Sequence, residues 1–114
     1  MLLKKDDTFK EFVIDQLNGP ANVVSRAMFG GYGLYREQAF FGIIHKGRLY
    51  FKTDSKTQPG YSERGMKPFK PGTGQTLKNY YEVPAEVVED ADELMLWSEE
   101  AVQAGTHEGG KVRS

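Results

Sequence analysis

Cysteine is absent from all 114 residues. That excludes disulfide frameworks, cysteine-ligated zinc, iron–sulfur clusters and thiol nucleophiles, and makes a reducing cytoplasm the expected compartment. Histidine is nearly absent: His45 sits at a strand end and His107 close to the C-terminus, a pair unsuited to chelating one metal. No metal or cofactor is expected. No apolar run approaches the ~20 residues that span a bilayer. Met1-Leu2-Leu3 meets Lys4-Lys5-Asp6-Asp7 before a signal-peptide core can develop, so a soluble chain that is not exported is expected. Phosphate-cradling motifs are missing too. Phe29-Gly30-Gly31-Tyr32-Gly33 is glycine-rich but joins strand to strand, whereas phosphate loops open a helix, so a tight turn or bulge is the expected role. Ser25, His45 and Asp54 assemble into a triad only on paper, because no nucleophile elbow accompanies them. No catalytic residue is assigned, and the chain is expected not to be an enzyme.

What is present argues for one folded domain. Aromatic residues make up 12% of the chain, far above what disordered segments carry. Phe9, Phe12, Val13 and Leu17 fall on one helical stripe, opened by a capping box at Thr8-Phe9-Lys10-Glu11 and stopped at Asn18-Gly19-Pro20. Four β-rich runs follow: 23–29, 32–36, 39–45 and 48–53. Their connections are too short for crossover helices, which predicts an antiparallel meander. Residues 54–76 read as a long loop with at most a short helix near Tyr61 to Arg64. A strand over 77–83, a helical turn after Pro84 and a helix capped at Asp90 complete the chain. Leu94, Trp97, Ala101 and Ala104 form that helix's buried stripe and Gly105 is expected to end it. The expected organisation is a single α+β domain over residues 1–105, its antiparallel sheet flanked by an N-terminal and a C-terminal helix, followed by a disordered tail over 106–114.

Register at the Lys46-Gly47 turn can be written out. A two-residue turn pairs His45 with Arg48, Ile44 with Leu49, Ile43 with Tyr50 and Gly42 with Phe51. Alternation then places Phe40, Ile44, Leu49 and Phe51 on the core face, with Phe41, Ile43, His45, Arg48, Tyr50 and Lys52 on the other. That second face is mixed, and a second copy of the chain, the 65–74 loop or a nucleic acid is expected to meet it. The charge distribution sharpens this expectation. Residues 23–81 hold ten basic side chains against three acidic, and residues 82–114 hold nine acidic against two basic. The halves either neutralise each other or leave a basic surface for weak, non-specific nucleic-acid binding. In the latter case Tyr50 would stack while Arg48 and Lys52 meet phosphates. Arg26 and Tyr32, around the glycine turn, are the binding candidates in an alternative reading as a small-molecule or anion-binding module or an uncharacterised enzyme. A homodimeric scaffold is a third reading.

Arg26-Ala27-Met28-Phe29-Gly30-Gly31-Tyr32-Gly33-Leu34-Tyr35 carries a family resemblance, supported by further segments downstream. These are Phe41-Gly42, Gly47-Arg48-Leu49-Tyr50-Phe51-Lys52, Gly65-Met66-Lys67-Pro68-Phe69, Tyr80-Tyr81-Glu82-Val83-Pro84 and Trp97. Together they resemble the N-terminal domain of the TfoX/Sxy family of competence regulators over about residues 9 to 104. The resemblance implies a two-layer fold with a curved sheet like that of secretion chaperones, a bacterial cytoplasmic setting and no catalytic residues. It also implies kinship with transcriptional co-regulators that carry a second, helical domain, and this chain is expected to be the first domain standing alone. The function expected on this basis is a non-enzymatic regulatory or interaction domain, with a protein partner or a second copy as the main partner and no membrane.

Overall fold

A computed structural model describes residues 5–17, 23–28, 30–70 and 77–111. Its elements run α1 (Lys5–Gln16), β1 (Val23–Met28), β2 (Gly31–Arg36), β3 (Ala39–His45), β4 (Arg48–Lys52), α2 (Gln58–Glu63), β5 (Pro68–Phe69), β6 (Leu77–Glu82), α3 (Ala85–Val88) and α4 (Ala91–Lys111). The six strands form one antiparallel sheet in the order β1-β2-β3-β4-β6-β5. The α+β expectation holds. So does the β3–β4 register, in which Gly42, Ile43, Ile44 and His45 face Phe51, Tyr50, Leu49 and Arg48. Positive φ at Lys46 (51°) and Gly47 (77°) supplies the turn whose twist matches the strands.

One sheet face carries the helices. Val13 of α1 and Leu17 just after it, Tyr61 of α2, Val87 and Val88 of α3, and Leu94 and Ala101 of α4 share a core with Leu34, Phe41, Ile44, Leu49 and Phe51. Asp90 caps α4 as its position suggests, its Oδ1 accepting from the Glu93 N–H at 3.1 Å. The other face has a smaller core of Ile43, Phe69 and Tyr80, with Phe40, Tyr50 and Leu77 packed around it, all of them strand residues. Arg48, Tyr50 and Lys52 turn away from Leu49 and Phe51, as period-2 alternation requires.

Several expectations are corrected. Phe40 and Phe41 exchange faces: Phe41 is fully buried in the helical core, and Phe40 lies on the opposite side. The cause is a β-bulge. Leu34 pairs with Gly42 and Tyr35 with Phe40, so Phe41 has no partner of its own on β2 and the alternation slips by one. Thr8 does not cap α1, which already begins at Lys5. Gly105 does not end α4, which continues to Lys111 across the stretch expected as a tail. The glycine serves a close approach instead, since a Cβ there would lie 3.2 Å from the Phe40 carbonyl oxygen. The 54–76 loop contains α2 and also a two-residue strand, β5, which two-residue length hides from any periodicity argument. Phe29, the Asn18-Gly19-Pro20 stop, loop residues 71–76 and the last three residues lie outside the described residues.

Candidate functional site

The non-helical sheet face gathers most of the residues that the sequence nominates. Along it runs a ladder of rings capped by a cation at each end. The Arg26 guanidinium lies 5.2 Å from the Tyr35 ring centre, Tyr35 stacks on Phe40 at 5.0 Å, Phe40 meets Tyr80 at 4.9 Å, and Lys52 Nζ lies 5.2 Å from the Tyr80 ring. The bulge builds this arrangement, because only the slipped register brings Phe40 beside Tyr35. The Tyr80 hydroxyl also donates to the Phe40 carbonyl at 2.8 Å, tying β6 to β3 across the intervening β4. Sequence reasoning missed Tyr35, Phe40 and Tyr80. The Tyr80-Tyr81 doublet was visible, but which of its two rings faces this side depends on pairing with β4, where Tyr80 opposes Lys52.

Beside the ladder lies the second nominated group. Arg48 Nη1 stands 3.1 Å from both carboxylate oxygens of Glu82, so the basic middle of the chain and its acidic end meet here. Tyr50 is half-buried, its ring 4.8 Å from that of Phe69, which also meets the His45 ring at 5.1 Å. Burial, followed by the Glu82 carboxylate, pushes the Tyr50 hydroxyl pKa up, with Arg48 pulling the other way, so the phenol stays protonated in the physiological range. Phe69 from the 65–74 segment is therefore the cover expected over Ile43 and Tyr50, and Ile43 is wholly buried beneath it. The face offers bases few free ring surfaces. Within the ladder, each ring lies between two of its neighbours or between a neighbour and a cation.

Arg26 and Tyr32 are not brought together. Arg26 belongs to the ladder, while Tyr32 packs against the helical core on the far side, its hydroxyl donating to Asp7 and its ring 4.6 Å from Lys10 Nζ. The glycine turn between them behaves as expected at Gly30, whose φ is +79°.

A separate open cleft of about 800 Å³ runs from Thr53 through Gln58 to Asn79, Glu100, Gln103 and Ala104. Its polar groups are largely spent on the fold. Thr53 Oγ1 donates to the Asn79 carbonyl at 3.0 Å, and the Asp54 carboxylate accepts the Lys56 and Thr57 N–H groups at 2.9 and 3.0 Å. Among the described residues no buried side-chain polar atom lacks a partner, and no group of three or more potential metal ligands occurs. Burial pushes the Asp54 pKa up, but the Thr57 and Lys56 backbone donors, the Thr57 hydroxyl and the Lys56 charge outweigh it, and the net shift is downward. A lowered folded pKa stabilises the native state above the unfolded pKa, and that contribution vanishes as pH falls through the folded value. Asp54→Asn is therefore expected to lower the melting temperature at about pH 7 and to converge with the parent at about pH 2. Thermal melts of both proteins across that range test it; a gap that does not narrow at acid pH would refute the assignment.

No helix among the described residues is long and apolar enough to cross a membrane. The family model described as the TfoX N-terminal domain matches residues 15–105. Over 60 residues the chain is 37% identical to the DNA transformation protein TfoX1 of Aliivibrio fischeri (strain ATCC 700601 / ES114), a match covering 51% of this chain and 29% of that relative. The matched segment of the chain thus spans less than a third of that relative's length. The family match takes in all six strands, the three helices after α1 as far as residue 105, and both sheet faces described above. On this match, the chain belongs to the TfoX N-terminal domain family, related to a protein of DNA transformation.

Proposed function

We propose that this chain is a non-enzymatic regulatory domain that works in a bacterial cytoplasm through contact with another protein, in a role connected with competence for DNA transformation. The observation that carries the reading is how the non-helical face is used. Arg48 is drawn to Glu82, Lys52 lies against Tyr80, Arg26 lies against Tyr35, and Tyr50 is edged by Phe69. The cations and rings that would serve a polyanion are already partnered within the fold, and Arg26 and Tyr32 do not converge on a shared anion site. Kinship with a DNA transformation protein supports the regulatory connection. Apolar side chains, by contrast, remain on the surface: Phe12 is 43%, Val24 52% and Leu96 57% exposed.

Two measurements test the reading together. Fluorescence anisotropy with labelled single- and double-stranded probes at two salt concentrations is expected to show dissociation constants no tighter than about 10⁻⁴ to 10⁻⁶ M, weakening with salt. The Arg48→Ala/Lys52→Ala double variant is expected to leave those values unchanged. Affinity capture from native bacterial lysate, run with and without nuclease, is expected to retain the same protein in both samples. Tight probe binding that the double variant abolishes, or capture that disappears with nuclease, would overturn the proposal in favour of a nucleic-acid ligand.

A further inference from the structure

The two edges of the sheet differ in kind. β5 forms one edge with only two residues, begins with a proline and is flanked by Lys67 and Lys70, all features that discourage strand addition. β1 forms the other, and it has none of these protections. Its six residues, Val-Val-Ser-Arg-Ala-Met, pair with β2 in unbroken register from Val23–Arg36 to Met28–Gly31, with no proline, glycine or bulge. None of the six is buried, Val24 is half exposed, and among the described residues no strand pairs with the outer edge. Such an edge is a template for another extended segment.

We infer that the β1 edge pairs antiparallel with the β1 edge of a second copy, joining the two sheets into one continuous sheet with the helices of both copies on the same face. The inference rests on the protein-contact reading above and names its partner. Symmetry restricts the geometry. In an antiparallel ladder, residues whose N–H and C=O point outward pair only with residues of the same class, so a two-fold axis passes through one residue facing its own counterpart. Two centres give a five-residue ladder from β1 alone. Centring on Arg26 opposes two guanidinium groups, which is unfavourable. Centring on Ser25 places hydroxyl against hydroxyl, Val23 against Ala27, and the exposed Val24 against the aliphatic stem of Arg26 on both sides of the axis. The strand's one charge then meets no like charge. The Ser25-centred register is therefore the one assigned.

The absence of native cysteine makes the register directly testable. Facing residues of an antiparallel pair have Cα atoms about 4.5–5.5 Å apart, within disulfide range. Ser25→Cys is thus expected to form a covalent dimer under mild oxidation, while Ala27→Cys, far from its own counterpart, stays monomeric on a non-reducing gel. Charge at position 24 supplies a second readout, with little risk to folding because that side chain is exposed. Sedimentation equilibrium of Val24→Lys is expected to show dimer dissociation about tenfold weaker than the parent, through repulsion from the facing Arg26, and Val24→Glu several-fold tighter. A parent chain that is monomeric throughout the micromolar range would overturn the inference, as would Lys and Glu variants that shift in the same direction or an Ala27→Cys variant that cross-links in place of Ser25→Cys. A monomer that still retains its partner in the nuclease-treated capture would end the dimer while leaving the protein-contact reading intact.

Discussion

Gly31→Ala is expected to destabilise the domain by about 3 kcal/mol or more, whereas Gly30→Ala next to it costs about 1–2 kcal/mol. The two glycines serve different physical needs. Gly30 has φ +79° and open space around its Cα, so alanine there meets only the left-handed backbone penalty. Gly31 has an ordinary φ but is buried against β3, and a Cβ would fall 2.0 Å from the Ile44 carbonyl oxygen and 3.1 Å from the His45 Cα. Those are backbone atoms of the neighbouring strand and cannot rotate away. Relief requires β2 and β3 to part at the residues leading into the β3–β4 hairpin, beneath which Ile44 and Leu49 hold the core. For a domain of about 100 residues, each kcal/mol shifts the melting temperature by about 4–8 °C, so the two variants are expected to differ visibly in a thermal melt. Urea titration gives the same ordering independently. Equal losses at the two positions would refute the close-approach explanation.

Adjacent phenylalanines supply the second large effect. Phe41→Ala is expected to cost about 3–5 kcal/mol, because it empties a fully buried site whose ring centre lies 5.8 Å from that of Phe51. Phe40→Ala removes a half-buried ring and its two aromatic neighbours on the other face, and is expected to cost about 1–2 kcal/mol. Simple alternation along β3 predicts the opposite order, so the pair discriminates between the bulged and the regular strand. Urea unfolding of both variants decides it, and a larger loss at Phe40 would mean that Phe41 is not the bulged residue.

The site was less legible than the fold for a related reason. Arg48, Tyr50 and Lys52 stand on the face that alternation assigns to them, and Arg26 joins them there, yet what each of the four touches comes from a different strand: Tyr35 for Arg26, Glu82 for Arg48, Phe69 for Tyr50 and Tyr80 for Lys52. Those partners lie from 9 to 34 positions away in the chain. Nothing local in the sequence specifies that Glu82 comes opposite Tyr50 and next to Arg48, a placement that depends on β6 bypassing β5 to pair directly with β4.

By itself the sequence determined the features that depend on a few neighbouring residues. These include the meander, the Lys46-Gly47 turn with its register, the cap at Asp90, the buried stripe of α4 and the orientation of Leu49 and Phe51. Each follows from a period, a turn geometry or a capping group acting within about four residues. Only the tertiary structure decided which way Phe40 and Phe41 face, why Gly31 and Gly105 are glycines, and that Phe69 covers Tyr50. Each of these is settled by atoms on another element: the β2 backbone that sets the bulge, the Ile44 carbonyl behind Gly31, the Phe40 carbonyl behind Gly105, and the rings of His45 and Tyr50 that Phe69 of the edge strand β5 meets. The underlying reason is that close packing fixes distances between residues far apart in the chain, while periodicity records only the solvent preference of each residue relative to its neighbours.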